Sequence, residues 1–154
     1  MKKITIAGFT LIELLVVIGI LAILLAITLI AINPARQFSQ SNNVKRSSDV
    51  NAVLNAVNQN MADNKGALPS GIDTTVRTIT NDSTVTNRVD LCSILVPTYI
   101  AALPVDPLTN TGTPVTDCTA TYNTNYTIVS SATDNRLTVT APAAELSATI
   151  SVTR

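Results

Sequence analysis

The sequence has no histidine and no tryptophan, and only 3% of its residues are aromatic. Without histidine, the commonest general base and the commonest zinc ligand are both missing. The aspartates are scattered, so no triad, dyad or metal cluster emerges along the chain, which points away from an enzyme. With so few aromatics, a water-soluble core must be small and built from Val, Ile, Leu and Ala. A core of that size needs an additional constraint. Net charge is absent too: ten basic residues balance ten acidic ones, and without Lys2 and Lys3 eight face ten. Such a balance gives no footprint for direct nucleic-acid binding. Only two cysteines occur, Cys92 and Cys118, and no other Cys or His can complete a metal site with them. If this half is exported, a disulfide is expected, stabilising by about 3–4 kcal/mol through loop closure. Two free thiols are the alternative.

What the chain does have is a long apolar run. From Leu14 to Ile32 no residue is charged and nearly all are aliphatic. As a helix this run is about 28 Å long, close to the ~30 Å hydrocarbon layer of a bilayer. It exceeds the core of an ordinary secretory signal and has no small-x-small cleavage site after it. It is therefore expected to stay in the mature protein. Lys2 and Lys3 precede it, which places the N-terminus inside and the remainder outside, with Arg36 mildly opposing. Glu13 stands at the head of the run. A carboxylate there is disfavoured by the bilayer, less so near an end than at the centre. It either snorkels at the interface or has a positive partner in the same layer. A cut after Gly8 would create such a partner, the α-amino group of Phe9.

Gly8-Phe9-Thr10-Leu11-Ile12-Glu13-Leu14-Leu15-Val16-Val17 resembles the class III signal of type IV pilins and type II secretion pseudopilins. The resemblance implies cleavage after Gly8 and N-methylation of Phe9 by a prepilin peptidase. It implies that Glu13 serves assembly by meeting the Phe9 amine of a neighbouring copy. Membrane lipid surrounds the helix first and other copies surround it later, with a membrane platform and its cytoplasmic ATPase driving the polymer. The location implied is the cytoplasmic membrane, then an extracellular pilus or a periplasmic pseudopilus. In this family a proline in the helix goes with a locally melted stretch, so Pro34 is either such a site or a kink at the membrane exit. The stretch after Pro34 is more similar to pilins of Gram-positive type than to a secretion major pseudopilin. A minor or competence pilin is a further option, and a membrane-anchored adhesin that never polymerises is the reading from another class.

Beyond Pro34 the pattern changes. Val50, Val53, Leu54, Val57 and Met61 recur at helical spacing, opposite Asn51, Asn55, Asn58 and Asn60. Gly66 is expected at the C′ position, with Pro69 beyond it. Residues 9–64 then read as one helix about 84 Å long. "TTVRTIT", "NYTIVSS", "NRLTVTA" and "LSATISVT" read as strands, with a hairpin at "ATDN", and "DLCSILVPTYIAALP" as a short helix. The fold class is α+β and pilin-like: a long N-terminal helix packed on a small antiparallel sheet. The organisation is a leader (1–8), a transmembrane and filament-core helix (9–35), an amphipathic helix (36–64) and a globular head (65–154). Leu103–Cys118 reads as a polar loop, and Asp106, Asn110 and Asp117 in it are candidate Ca²⁺ ligands because related pseudopilin loops bind calcium. Ordinary turn chemistry is the alternative, and no other cofactor is expected. Asn81 and Asn125 begin N-glycosylation sequons.

Overall fold

The computed structural model describes residues 8–134 and 136–154, so the leader, with Lys2 and Lys3, lies outside the described residues except for Gly8. The chain divides into two compact units, residues 1–38 and 39–154.

In the first unit, α1 (Leu11–Ile32) runs for 22 residues, about 33 Å. None of its residues is buried, and its apolar side chains point out on every side. A helix that is apolar all round needs an apolar environment. Its one mid-helix hydroxyl is satisfied internally, Thr28 Oγ1 donating to the Leu25 carbonyl at 2.9 Å. The expected single helix with Pro34 inside it is not what forms. Asn33 takes a left-handed conformation, φ 48° and ψ 78°, and ends α1. The residue before a proline is pushed out of the α region, and Asn tolerates the left-handed one. A second helix, α2 (Pro34–Asp63), begins at once. Pro34 occupies its first position, where a missing N–H costs nothing. Asn33 caps it, its Oδ1 accepting from the Arg36 N–H at 3.3 Å.

In the second unit, α2 contributes Val50, Val53, Leu54, Ala56 and Val57 to the core. Its end carries Lys65 and Gly66, both at positive φ, and the Gly66 N–H reaches the Met61 carbonyl at 2.7 Å. Lys65, not Gly66, is thus the first left-handed residue. Five strands follow: β1 (Arg77–Thr80), β2 (Arg88–Val89), β3 (Asn123–Ser130), β4 (Leu137–Thr140) and β5 (Ser151–Thr153). They form one sheet in the order β2-β1-β3-β4-β5. β1 and β2 are parallel and the other pairings antiparallel, so the sheet is mixed rather than wholly antiparallel. Two residues are too few for β2 to show a period in the sequence. The β3–β4 hairpin forms with Ile128 opposite Val139. Tyr126, Ile128, Leu137 and Val139 fill the inner face, while Thr127, Thr138 and Thr140 stay outside. β5 is only three residues long, so the expected strand "LSATISVT" is shorter at its start, where Ala148 is exposed.

The short helix α3 (Cys92–Leu95) is one turn, not the longer element expected. Pro97 cannot continue it. Cys92 is bonded to Cys118, with a Cα–Cα distance of 5.4 Å, and there is no free thiol. The loop that this closes is less polar than its composition suggests. Leu103 and Val105 are buried, and Leu103 pairs with Val115 through both backbone bonds.

One charged side chain of α2 lies fully inside. The side chain of Arg46 is 0% exposed and that of Asp106 1%. Arg46 Nε donates to Asp106 Oδ2 at 2.6 Å and Nη2 to Oδ1 at 3.2 Å. Nη1 donates to Glu145 Oε2 at 2.8 Å. Glu145 also accepts from Ser39 Oγ and Asn42 Nδ2, at 2.8 and 2.9 Å. Arg46 first, then Asn42 and Ser39, hold the Glu145 carboxyl at about 2, below its ordinary 4.5. A carboxyl lowered on folding stabilises the fold fully above its ordinary value. We expect that contribution to be lost as the pH falls from about 4.5 towards 2. Other carboxyls held low on folding, such as Asp73 beside Arg77, also lose their contribution in acid. The difference between wild type and Glu145→Gln in acid unfolding therefore isolates it: the variant should show a shallower loss of stability between pH 5 and pH 2.

Candidate functional site

The segment at the head of α1 is built by local chemistry. Thr10 is the N-cap, in extended conformation, and Glu13 is the third helical residue. The Thr10 N–H and Oγ1–H both donate to Glu13 Oε2, at 2.8 and 2.7 Å. In return the Glu13 N–H donates to Thr10 Oγ1 at 3.3 Å. This is a reciprocal capping box, which satisfies two of the open donors at a helix start. It also turns the carboxylate back over its own helix end, where a negative charge meets the positive end of the helix dipole. Oε1 accepts no bond among the described residues. Thr10 is the functional neighbour that reading the motif for Gly8, Phe9 and Glu13 passes over. Its signal is nevertheless in the sequence, as Thr-x-x-Glu ahead of an apolar run.

Gly8 has an unusual freedom. Among the described residues nothing lies within 4 Å of where a Cβ would sit. The described residues therefore give no packing reason for a glycine there. Gly8, Phe9 and Thr10 are all exposed and outside regular structure. An exposed, irregular backbone is what a peptidase needs to thread a bond through its site. In the uncut chain the Phe9 nitrogen is a neutral amide; breaking the Gly8–Phe9 bond would give it a positive charge near Glu13. Phe9, Ile12, Glu13, Val16 and Val17 line a shallow apolar hollow beside that carboxylate.

Asn110 and Asp117, two of the candidate calcium ligands, line one open hollow, while Asp106 is buried against Arg46. Both Asp106 oxygens are engaged by Arg46, and Oδ1 also accepts from the Leu108 N–H at 2.9 Å. Asp117 Oδ1 accepts from the N–H and hydroxyl of Thr119 at 2.9 and 2.7 Å. Asn110 sits in a one-turn 3-10 segment, Asn110–Gly112. Among the described residues no three acidic or cysteine side chains converge as metal ligands. Asn81 is likewise occupied. Its Nδ2 donates to the Ala120 carbonyl at 2.9 Å and its Oδ1 accepts from the Tyr122 N–H at 2.8 Å. A glycan on that nitrogen would displace a bond joining β1 to the start of β3.

Residues 5–29 match the family model described as the prokaryotic N-terminal methylation motif. That segment is the class III prepilin signal of type IV pilins and pseudopilins. No curated protein and no solved structure matches the chain.

Proposed function

We propose that this chain is the precursor of a structural subunit of a type IV pilus-like filament, held in the cytoplasmic membrane by α1 until it polymerises. The observation that carries the reading is the methylation motif over residues 5–29, set on a helix with no buried residue. Cleavage after Gly8 and methylation of Phe9 leave a secondary ammonium four residues from Glu13. In the polymer this ammonium faces the Glu13 carboxylate of a neighbouring copy. The exposed apolar sides of α1 exchange lipid for other copies of α1. The work is assembly, with prepilin peptidase and an ATPase-driven membrane platform as partners, and with the head outside the cytoplasm, where the Cys92–Cys118 bond is stable. A type II secretion pseudopilin or a minor or competence pilin shares every one of these features, and secretion and transformation assays of a deletion strain separate them. An anchored adhesin that does not polymerise is the competing class.

The N-terminal residue decides between the classes. Mass spectrometry of the mature protein should find N-methyl-phenylalanine at Phe9 and no leader. An intact Met1 in the mature membrane protein would overturn the reading.

A further inference from the structure

At the C-terminal end of α2 a hollow of about 310 Å³ opens between the helix, the loop that follows it and α3. Asn60, Asn64 and Ser70 supply its polar side chains, and Leu68, Pro69 and Ile94 form an apolar wall. No charged residue lines it. The wall is fixed in place. Pro69 is buried, and Leu68 and Ile94 pack against the core. Backbone bonds hold the loop, from the Ala67 N–H to the Asn64 carbonyl at 3.0 Å and from the Ile72 N–H to the Pro69 carbonyl at 3.2 Å. A hollow with rigid walls loses little entropy when a ligand enters it.

Asn60 is the member that the fold does not explain. It is only 7% exposed. Its side-chain amide stands beside the Tyr99 hydroxyl but makes no hydrogen bond of good geometry to any described residue. No enclosed side-chain nitrogen or oxygen among the described residues lacks a partner, so this amide is open to solvent, and the hollow it lines is the opening. An amide so nearly buried and unpaired is disfavoured, and a ligand that pairs with it removes that cost. Asn64 Nδ2 is spent on the Asn60 carbonyl at 2.8 Å, which leaves its Oδ1 open. The open groups are therefore amides and a hydroxyl beside an apolar wall. They suit a neutral ligand with one hydrogen-bonding edge and one apolar face, which describes a pyranose ring. The volume stands at the lower end for ligand sites, enough for a single ring and too small for an extended peptide.

We propose that this hollow binds a neutral pyranose sugar, with hydroxyls paired to Asn60, Asn64 and Ser70 and the C–H face of the ring against Leu68 and Ile94. The site stands whether or not the chain polymerises. It is tested with the full-length chain in micelles of a detergent that carries no sugar. Saturation-transfer NMR detects weak binding, with glucose, galactose, mannose and N-acetylglucosamine as probes. At least one of these sugars should give a signal. Ala67→Trp fills the hollow from an exposed position and should abolish that signal. Asn60→Ala should weaken binding by about tenfold, while Thr140→Ala, on the outer face of the sheet, should leave it unchanged. Circular dichroism checks that each variant is folded, and Ala67→Trp carries the test if Asn60→Ala does not fold. Silence from every sugar with folded wild type, or an undiminished signal in Ala67→Trp, would overturn the site. Binding of N-acetyl-trialanine amide or of sialic acid in place of the neutral sugars would overturn it too, by assigning the hollow to a peptide or an anion.

Discussion

Glu13→Ala should yield a protein that is inserted, cleaved after Gly8 and methylated at Phe9, but that makes no filaments above background. The carboxylate lies beyond the scissile bond and is turned towards Thr10, so the peptidase keeps its exposed Gly8–Phe9 substrate. What is lost is the one negative charge in α1 and the partner of the new ammonium. In a dry helix bundle an unpaired ammonium is strongly disfavoured, and removing one member of a buried pair does more harm than removing both. The defect recurs at every subunit, so the effect on a polymer is close to all-or-none. Glu13→Gln sharpens the test. It can still accept the Thr10 N–H, keeping the cap, but carries no charge. If filaments return with Gln, capping was the role of Glu13; if they do not, charge pairing was. Electron microscopy of sheared filaments, with mass spectrometry of the N-terminus in the membrane fraction, gives both readouts.

The second large effect is expected in the head. Asp106→Ala leaves Arg46 buried and without its bidentate partner. Breaking a buried ion pair from one side costs about 3–5 kcal/mol. Domains of this kind have only about 5–15 kcal/mol in hand. The melting temperature of the detergent-solubilised chain should fall by about 10–20 °C. The paired replacement Arg46→Met with Asp106→Leu should recover part of that loss, because no fully buried charge is then left, while the part-exposed Glu145 carboxylate keeps Ser39 and Asn42 but loses its cation. Thermal circular dichroism on the three proteins checks this. A small change in Asp106→Ala alone would mean that water reaches Arg46 and that the pair is not dry.

The parts that sequence reading reaches are those set by neighbours in the chain. The apolar run, the Gly8-Phe9-Glu13 spacing, the core stripe Val50–Val57 and the alternation of Leu137 and Val139 all depend on residues a few positions apart. The same is true of the Thr10–Glu13 cap, written as Thr-x-x-Glu ahead of the apolar run. The break at Asn33 was hidden for a different reason. Asn-Pro permits either a kinked helix or two helices, and a capping bond to the Arg36 N–H accompanies the second.

Arg46 shows the opposite case. A basic residue in "NNVKRSSD" reads as solvated surface, and its burial depends on Asp106 and Glu145, 60 and 99 positions away. Asn60 is similar, assigned to the polar face and found buried. Asp106, weighed as a calcium ligand from its loop, turns out to be spent on that arginine. Local sequence by itself determined a helix long and apolar enough to cross a membrane and the methylation motif over residues 5–29, because helix length, hydropathy and residue spacing need no distant partner. Only the tertiary structure decided which polar residues hold the head together and which apolar ones it leaves outside, because burial of a charge is settled by partners that folding alone brings within 3 Å.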